Sequence, residues 1–162
     1  HFPRDIKKYI VVVAPHTSYW DFPLGLLSRS VLRRNIGFIA KSELFKFPLG
    51  PIMKWWGGVP VDRSKNNNFV EAVAELFESK EELAICITPE GTRRKVSRLR
   101  SGFFHMAKAA NVPLNLCTFD FKTKTITFDK PYYVTGDKDE TLEYVWNYFK
   151  GVEGKHKEQG IF

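Results

Sequence analysis

The feature that most constrains the fold of this chain is an alternation of short β-branched or aromatic runs with longer segments of helical periodicity. This pattern is typical of a parallel sheet whose strands are joined by helices that cross its faces. It predicts an α/β fold with a mostly parallel or mixed sheet flanked by helices. The predicted strands are residues 9–14, 36–40, 59–62, 83–88, 114–121 and, at an edge, 125–128. The predicted helices are residues 19–33, 69–79, 102–110 and 142–150, with Asn68 as the N-cap of the second.

Two segments are predicted to lack regular structure. Residues 43–58 carry two prolines and a Gly57-Gly58 pair among many aromatic side chains, which indicates a broken connection rather than a regular helix. Residues 151–160 are polar, and we expect them to fray at the end of the chain.

Chain length and cysteine usage bound the class of protein. With 162 residues, 43% of them hydrophobic, the chain can bury a core without disulfides, so we expect residues 1–162 to form a single domain. Cys86 and Cys117 each lie in an apolar run and are predicted to be core residues. Because no cysteine pair has metal-ligand spacing or forms a disulfide framework, a reducing, cytoplasmic compartment fits best.

The net charge of +7, with a pI of about 9.4, favours an anionic partner. Charge alone does not choose among nucleic acid, a phosphorylated small molecule and an acidic membrane surface. No stretch approaches the roughly 20 apolar residues that span a bilayer, and nothing resembles a signal peptide, so a soluble or peripheral chain is predicted. The first residue is His1 rather than methionine, which leaves an upstream membrane anchor open.

A histidine and an aspartate, His16 and Asp21, lie between the first predicted strand and the first predicted helix. Ligand sites of open α/β sheets cluster at such strand ends. On one continuous helix the two side chains would lie about 140° apart. If a turn separates them, the carboxylate can accept the Nδ1 proton and leave Nε2 free to act as a base. The alternative is structural: Ser18-x-x-Asp21 also resembles a capping box at a helix N-terminus.

The segment after the fourth predicted strand, residues 88–94, reads Thr-Pro-Glu-Gly-Thr-Arg-Arg. Gly91 lets the backbone approach a ligand, Thr92 offers a hydroxyl, and Arg93 offers a bidentate fork suited to phosphate. The chemistry is anion recognition. The alternative is an ordinary Pro/Gly turn followed by a solvated basic run.

Two further cations, Lys41 and Arg63, stand at the ends of the second and third predicted strands. A single lysine or arginine in such a place is usually a surface charge. Several strand ends of one sheet, each with a cation, favour a shared anion site.

Together these segments resemble the glycerolipid acyltransferase superfamily, which includes the lysophosphatidic acid acyltransferases. The resemblance runs from about residue 11 to residue 116 and rests on four blocks in the family's order. These are H-x4-D at 16–21, G-x-x-x-x-R ending at Arg63, E-G-T-R at 90–93, and Val112-Pro113 before a strand. An isolated H-x4-D is weak evidence, whereas four ordered blocks are strong evidence.

The resemblance implies a role for each matching residue. His16 would be the general base and Asp21 the group that orients it. The acceptor's phosphate site would be formed by Arg63, Glu90, Gly91, Thr92, Arg93 and, less directly, Lys41. The implied reaction moves a fatty acyl group from acyl-CoA or an acyl carrier protein thioester to a hydroxyl of a lysophospholipid such as 1-acylglycerol-3-phosphate. It needs no bound cofactor and no metal.

The implied setting is the cytoplasm, with the protein peripheral on the inner face of the cell membrane and no nucleic acid partner. Aromatic residues of segment 45–56 would face the acyl chain or the bilayer interface, or pack the core. Pro15 stands where the family frequently has asparagine, and Thr88 where it often has an aromatic residue, which indicates a divergent, bacterial-looking branch. The acceptor therefore stays open among lysophosphatidic acid, another lysolipid, and a lipid-linked hydroxyl or amine.

Other functions remain open alongside the acyltransferase. A basic, aromatic chain can bind membrane surfaces without catalysis, and a thioesterase would use the same base with water as acceptor. A nucleic-acid-binding module is disfavoured because no recognised motif for that function occurs. His105 lies in the middle of an apolar predicted helix, where a structural role is expected.

Overall fold

The computed structural model describes residues 2–61 and 69–161, apart from the side chains of Lys41, Leu44 and Val61. Within these ranges the chain forms a six-stranded sheet in the order β3-β2-β4-β1-β5-β6. The strands are β1 (Lys8–Ala14), β2 (Ile36–Lys41), β3 (Gly58–Val61), β4 (Leu83–Ile87), β5 (Leu114–Asp120) and β6 (Thr125–Tyr132). Strands β1 to β5 pair in parallel, and β6 pairs antiparallel with β5 at the edge. The predicted α/β fold with a mostly parallel, mixed sheet is confirmed.

In the described part of the chain, five α-helices connect or follow the strands. They are α1 (Asp21–Leu32), α2 (Gly50–Trp55), α3 (Phe69–Glu78), α4 (Gly102–Ala110) and α5 (Lys138–Phe149). Short 3-10 turns occupy Ser42–Phe45 and Lys157–Gln159. The positions of the helices follow from the handedness of parallel crossovers. From β1 to β2 to β3 the chain moves towards one edge of the sheet, and from β3 to β4 to β5 it moves back across the sheet. Because each crossover is right-handed, this change of direction places α1 and α2 on one face of the sheet and α3 and α4 on the other.

Alternate residues of the central strand β1 divide the core into two layers. Ile10, Val12 and Ala14 are fully buried against the face that carries α3, α4 and α5. Tyr9, Val11 and Val13 are buried on the opposite face, where Leu24 of α1 packs. The α3, α4, α5 side is the larger core, whereas the α1, α2 side has only a few buried residues.

The structure departs from the sequence prediction in two helices. Residues 43–58 were predicted to lack a regular helix, but they contain α2. Pro51 is compatible with this helix because it lies in the first turn, where a backbone N–H has no partner within the helix. Helix α5 begins at Lys138, one turn before the predicted start. The signal was present in the sequence: the Asp137 side chain accepts a hydrogen bond from the Asp139 N–H (2.6 Å), and Asp139 and Glu140 complement the helix dipole.

The prediction of a frayed C-terminal segment is wrong. Ile161 is fully buried in the larger core cluster, and Gly154 and Gly160 are also buried. One apolar residue near the end of the polar run supplies the anchor, because burying an isoleucine side chain contributes roughly 2 kcal/mol. Asn68, the predicted cap, and Asp62 and Arg63, at the end of the third predicted strand, lie outside the described residues.

Candidate active site

His16 and Asp21 meet at the carboxyl end of β1. The His16 Nδ1 lies 2.9 Å from the Asp21 Oδ2, and the two side chains are 21% and 4% exposed. A turn separates the strand from α1, so the two residues are not on one continuous helix. With Nδ1 facing the carboxylate, Nε2 is the nitrogen left for proton exchange with a substrate.

Asp21 is also the residue that closes the start of α1. Its Oδ2 accepts the backbone N–H groups of Thr17 and Ser18, each at 3.0 Å. The sequence allowed two roles for Asp21, as an acid at the helix terminus and as the partner of His16. The same carboxylate oxygen, Oδ2, makes the contacts of both roles. Its other oxygen, Oδ1, is buried and makes no hydrogen bond within the described residues. The histidine loop and the helix terminus are thus a single hydrogen-bonded unit.

Glu90 fixes the backbone of the same loop from the neighbouring strand. Both its oxygens accept the His16 backbone N–H, at 2.9 and 3.1 Å, and the residue is only 3% exposed. Burial raises the pKa of this carboxyl from 4.5 to about 7, although the His16 N–H opposes the shift. The resemblance implied a phosphate-site role for Glu90, whereas the structure places its carboxylate against the backbone of the histidine loop.

Gly91, Thr92 and Arg93 form a loop beside His16. Gly91 has a positive φ of 65°, which favours glycine. The Arg93 Cζ lies 3.7 Å from the centre of the Tyr19 ring, a cation–π contact that holds the guanidinium near the start of α1. Its Nε is buried without a hydrogen-bond partner among the described residues. A charged donor is therefore held beside His16 with unused hydrogen-bonding capacity, which suits an anionic ligand.

The two remaining predicted cations cannot be compared with this arrangement. Lys41 is the last residue of β2, which pairs in parallel with β4. The Lys41 backbone therefore lies at the carboxyl ends of the strands, as the loop after β4 does. Its side chain, and the whole of Arg63, lie outside the described part of the chain.

A cavity of about 970 Å³ connects these groups. His16, Asp21, Gly91, Thr92 and Arg93 line it together with apolar side chains from the sheet and from helices α1 to α4. The apolar lining includes Phe22, Leu26, Phe38, Met53, Phe119 and Phe128. Its volume is at the upper end of the range for small-molecule sites, and a polar end joined to an apolar interior suits an amphiphile. The apolar residues of the strands can be recognised in the sequence, but the sequence does not show which of them will line a cavity rather than a filled core.

Sequence reasoning missed the C-terminal residues that reach the site. The His156 N–H donates to the Thr17 hydroxyl at 3.2 Å, and the Lys155 ammonium lies 4.7 Å from the centre of the Trp20 ring. These partners are separated by more than a hundred residues along the chain, so no local pattern announces them. His105, by contrast, is exposed on α4 and is not among the residues that line the cavity.

Among the described residues, no group of three or more histidine, cysteine or carboxylate side chains is arranged to hold a metal ion. In the same ranges, no helix is both long enough and apolar enough to cross a bilayer.

Comparison with known proteins relates this geometry to a family. A family model described as acyltransferase matches residues 1–119. A probable 1-acyl-sn-glycerol-3-phosphate acyltransferase from Mycoplasma pneumoniae is 35% identical over 118 residues, covering 67% of this chain and 43% of that protein. A 1-acyl-sn-glycerol-3-phosphate acyltransferase from Cocos nucifera is 34% identical over 82 residues, covering 47% of this chain and 27% of that protein. The chain therefore spans less than half the length of either relative.

The fold has a counterpart among solved structures. The crystal structure of the 1-acyl-sn-glycerophosphate (LPA) acyltransferase from Thermotoga maritima matches with a TM-score of 0.66 at 22% identity. The match covers 90% of this chain and 64% of that one. It supports the six-stranded mixed sheet flanked by helices. The family match covers most of the sequence, and it leads to one conclusion: the chain belongs to the acyltransferase family.

Proposed function

We propose that this chain moves a fatty acyl group from a thioester, acyl-CoA or acyl carrier protein, to a hydroxyl of a lysophospholipid such as 1-acylglycerol-3-phosphate. The observation that carries the proposal is the His16–Asp21 pair, 2.9 Å apart, at the polar end of a large apolar cavity. Three matches to acyltransferases, two of them named for 1-acylglycerol-3-phosphate, support the substrate class.

In the proposed reaction the Nε2 of His16 removes the proton of the acceptor hydroxyl. The hydroxyl oxygen attacks the thioester carbonyl carbon, and the new C–O bond forms as the carbonyl electrons move to oxygen. When this tetrahedral intermediate collapses, the C–S bond breaks and the thiolate takes the proton from His16. Asp21 holds the imidazole and stabilises its cationic form. Such general base catalysis typically contributes about 10²- to 10⁴-fold in rate.

The two ends of the cavity suit the two parts of the substrates. The apolar lining would hold an acyl chain, because each buried methylene contributes about 0.8 kcal/mol. Arg93 would bind the acceptor phosphate through its guanidinium, whose Nε has no partner among the described residues. The net charge of +7 favours approach of anionic substrates such as acyl-CoA or an acidic carrier protein.

We also propose that the face carrying α1 and α2 rests on an anionic membrane surface. Of the twelve large hydrophobic side chains exposed in the described ranges, nine belong to residues 19–31 and 47–55. Phe47 is 92% exposed and Trp55 80%. Lys46 and Lys54 are exposed beside them, so aromatic and basic groups are interleaved as interfacial binding requires. A lysophospholipid would then reach the cavity from the bilayer itself.

This exposed face also favours the second candidate function, a membrane-surface protein without catalysis. The two functions differ in what they require of His16. A surface binder has no use for a histidine held by a buried carboxylate at a cavity, whereas the acyltransferase depends on it.

The test is release of free thiol from acyl-CoA, with and without lysophosphatidic acid, by the intact protein and by His16→Ala. We expect acceptor-dependent release that falls by about 10²-fold or more in the variant. His105→Ala is the matched control, because this histidine is exposed on α4, and it should keep full activity. Thiol release with free fatty acid as the sole product would identify a thioesterase. Absence of release from acyl-CoA and from acyl carrier protein would leave the surface binder.

The phosphate assignment has its own test. Arg93→Ala should raise the KM for lysophosphatidic acid while leaving that for an unphosphorylated monoacylglycerol little changed. Arg94→Ala, at the exposed neighbouring position, is the control and should alter neither KM. Equal loss with both acceptors would show that Arg93 does not bind the phosphate.

A further inference from the structure

The C-terminal segment 153–161, here called the strap, passes against the loop that carries His16. One end is tied to the sheet, because the Phe121 N–H donates to the Glu153 carbonyl at 2.8 Å. The other end is anchored by Ile161, which is fully buried in the larger core. A short segment fixed at both ends has little freedom to move, so its contacts in between can hold other groups in place.

Those contacts fall on Thr17, the residue after His16. The His156 N–H donates to the Thr17 hydroxyl at 3.2 Å. Gly154 is buried against the same side chain, and a Cβ there would lie 2.5 Å from the Thr17 Oγ1 and 2.7 Å from its Cγ2. Any residue with a Cβ at position 154 would clash with Thr17, so the strap can approach the histidine loop this closely only because it has glycine there.

Gln159 reaches both loops of the site at once. The orientation of the Gln159 amide is assigned from its surroundings, with the nitrogen facing two acceptors; in this orientation it donates to the Arg93 carbonyl at 2.5 Å and to the Thr17 carbonyl at 3.3 Å. Both partners are carbonyl oxygens, so only a donor satisfies them. These carbonyls belong to the loop after β4 and the loop after β1. One amide thus connects the backbone next to His16 with the backbone of Arg93.

We infer that Gln159 is a positioning residue that sets the separation of His16 and Arg93, and that the strap is part of the acyltransferase site. The inference rests on the proposed function for the roles of those two residues. It also extends the site beyond residue 119, where the family match ends. The physical reason is geometric: a displacement of about 1 Å between the base and the groups that hold the substrate can cost about 10²-fold in rate.

The decisive variants are Gln159→Met, which keeps the length of the side chain but removes the donor, and Gln159→Glu, whose carboxylate faces two carbonyl oxygens. Glu143→Gln, at an exposed position on α5 outside the strap, is the control. We expect kcat with lysophosphatidic acid to fall about 10- to 10²-fold in both Gln159 variants and to stay unchanged in the control. The midpoint of thermal unfolding is measured for all three.

Hydrogen exchange of the free protein separates this inference from the proposed function, since it needs no substrate. The amides of His16, Thr17 and Ser18 are bonded to Glu90 and Asp21, so they report on the loop. Faster exchange in this loop, with β1 and α4 unchanged, supports the positioning role even if the protein proves not to be an acyltransferase. Unchanged exchange and kcat, or acceleration equal throughout the chain, would overturn it.

Discussion

The backbone N–H of His16 lies between the two carboxylate oxygens of Glu90, at 2.9 and 3.1 Å. The residues are 74 positions apart but stand at the ends of β1 and β4, which pair in parallel. Glu90 therefore locks the main chain of the histidine while Asp21 locks its ring. Two buried carboxylates, each 5% exposed or less, act on opposite sides of one residue.

Glu90→Gln should change how stability depends on pH. The folded protein holds the Glu90 proton up to about pH 7, whereas the unfolded chain loses it near pH 4.5. Between these values the folded state binds more protons, so this group stabilises the fold fully below pH 4.5 and progressively less as pH rises to 7. The free energy of unfolding should fall across that window by up to about 3 kcal/mol more in the wild type than in the variant.

Urea denaturation at several pH values from 4.5 to 8 measures this difference, and subtraction of the variant's curve removes the other titrating groups. Parallel curves for the two proteins would mean that the Glu90 carboxyl is not held protonated in the fold.

Asp21→Asn should impair turnover more than folding. An asparagine oxygen can still accept the Thr17 and Ser18 N–H groups, but a neutral amide no longer stabilises an imidazolium. We expect kcat to fall about 10²- to 10⁴-fold in the thiol-release assay. Asp139→Asn, whose side chain is 82% exposed on α5, provides the control and should retain activity. Near-normal turnover in Asp21→Asn would remove the aspartate from the proposed mechanism.

Gly91→Ala and Gly151→Ala form a matched pair. Both glycines have positive φ, 65° and 83°, so either alanine should cost about 1 to 2 kcal/mol of stability by urea denaturation. At Gly91 the new Cβ also lies 2.6 Å from the Nε of the exposed Arg100, whereas nothing lies within 4 Å at Gly151. Only Gly91→Ala should raise the KM for lysophosphatidic acid, because it alone distorts the loop of Arg93. Equal KM values for both variants would contradict a role for this loop in binding.

Phe47→Ser and Trp55→Ser should weaken membrane association. If each side chain enters the interface, its loss removes roughly 1.5 to 3 kcal/mol, which corresponds to about ten-fold or more in vesicle affinity. Co-sedimentation with vesicles containing anionic phospholipid measures this, and added salt should weaken binding further. Tyr133→Ser is the control, since Tyr133 is 56% exposed near the end of β6, away from the α1 and α2 face. Equal weakening by all three substitutions would argue against a specific docking face.

The sequence alone determined the class of fold, because alternation of strand-like and helix-like periods is a local property. Helix α4 begins and ends where periodicity predicts. The predicted start of α5 was one turn too late, because the start of this helix is marked by the Asp137 cap and not by apolar periodicity. The paired residues were also accessible: His16 and Asp21 are five positions apart, so a turn suffices to bring them together. The E-G-T-R segment was recognisable by its composition.

Only the tertiary structure decided how these pieces are used. Parallel pairing of β1 with β4 brings Glu90 to the His16 backbone, and burial there raises its pKa. Right-handed crossovers leave one face of the sheet to α1 and α2, where most of the exposed aromatic side chains lie. The C-terminal segment is polar by sequence but is drawn to the site by one buried isoleucine. Local periodicity specifies helices and strands, whereas contacts between distant segments depend on how the whole chain packs.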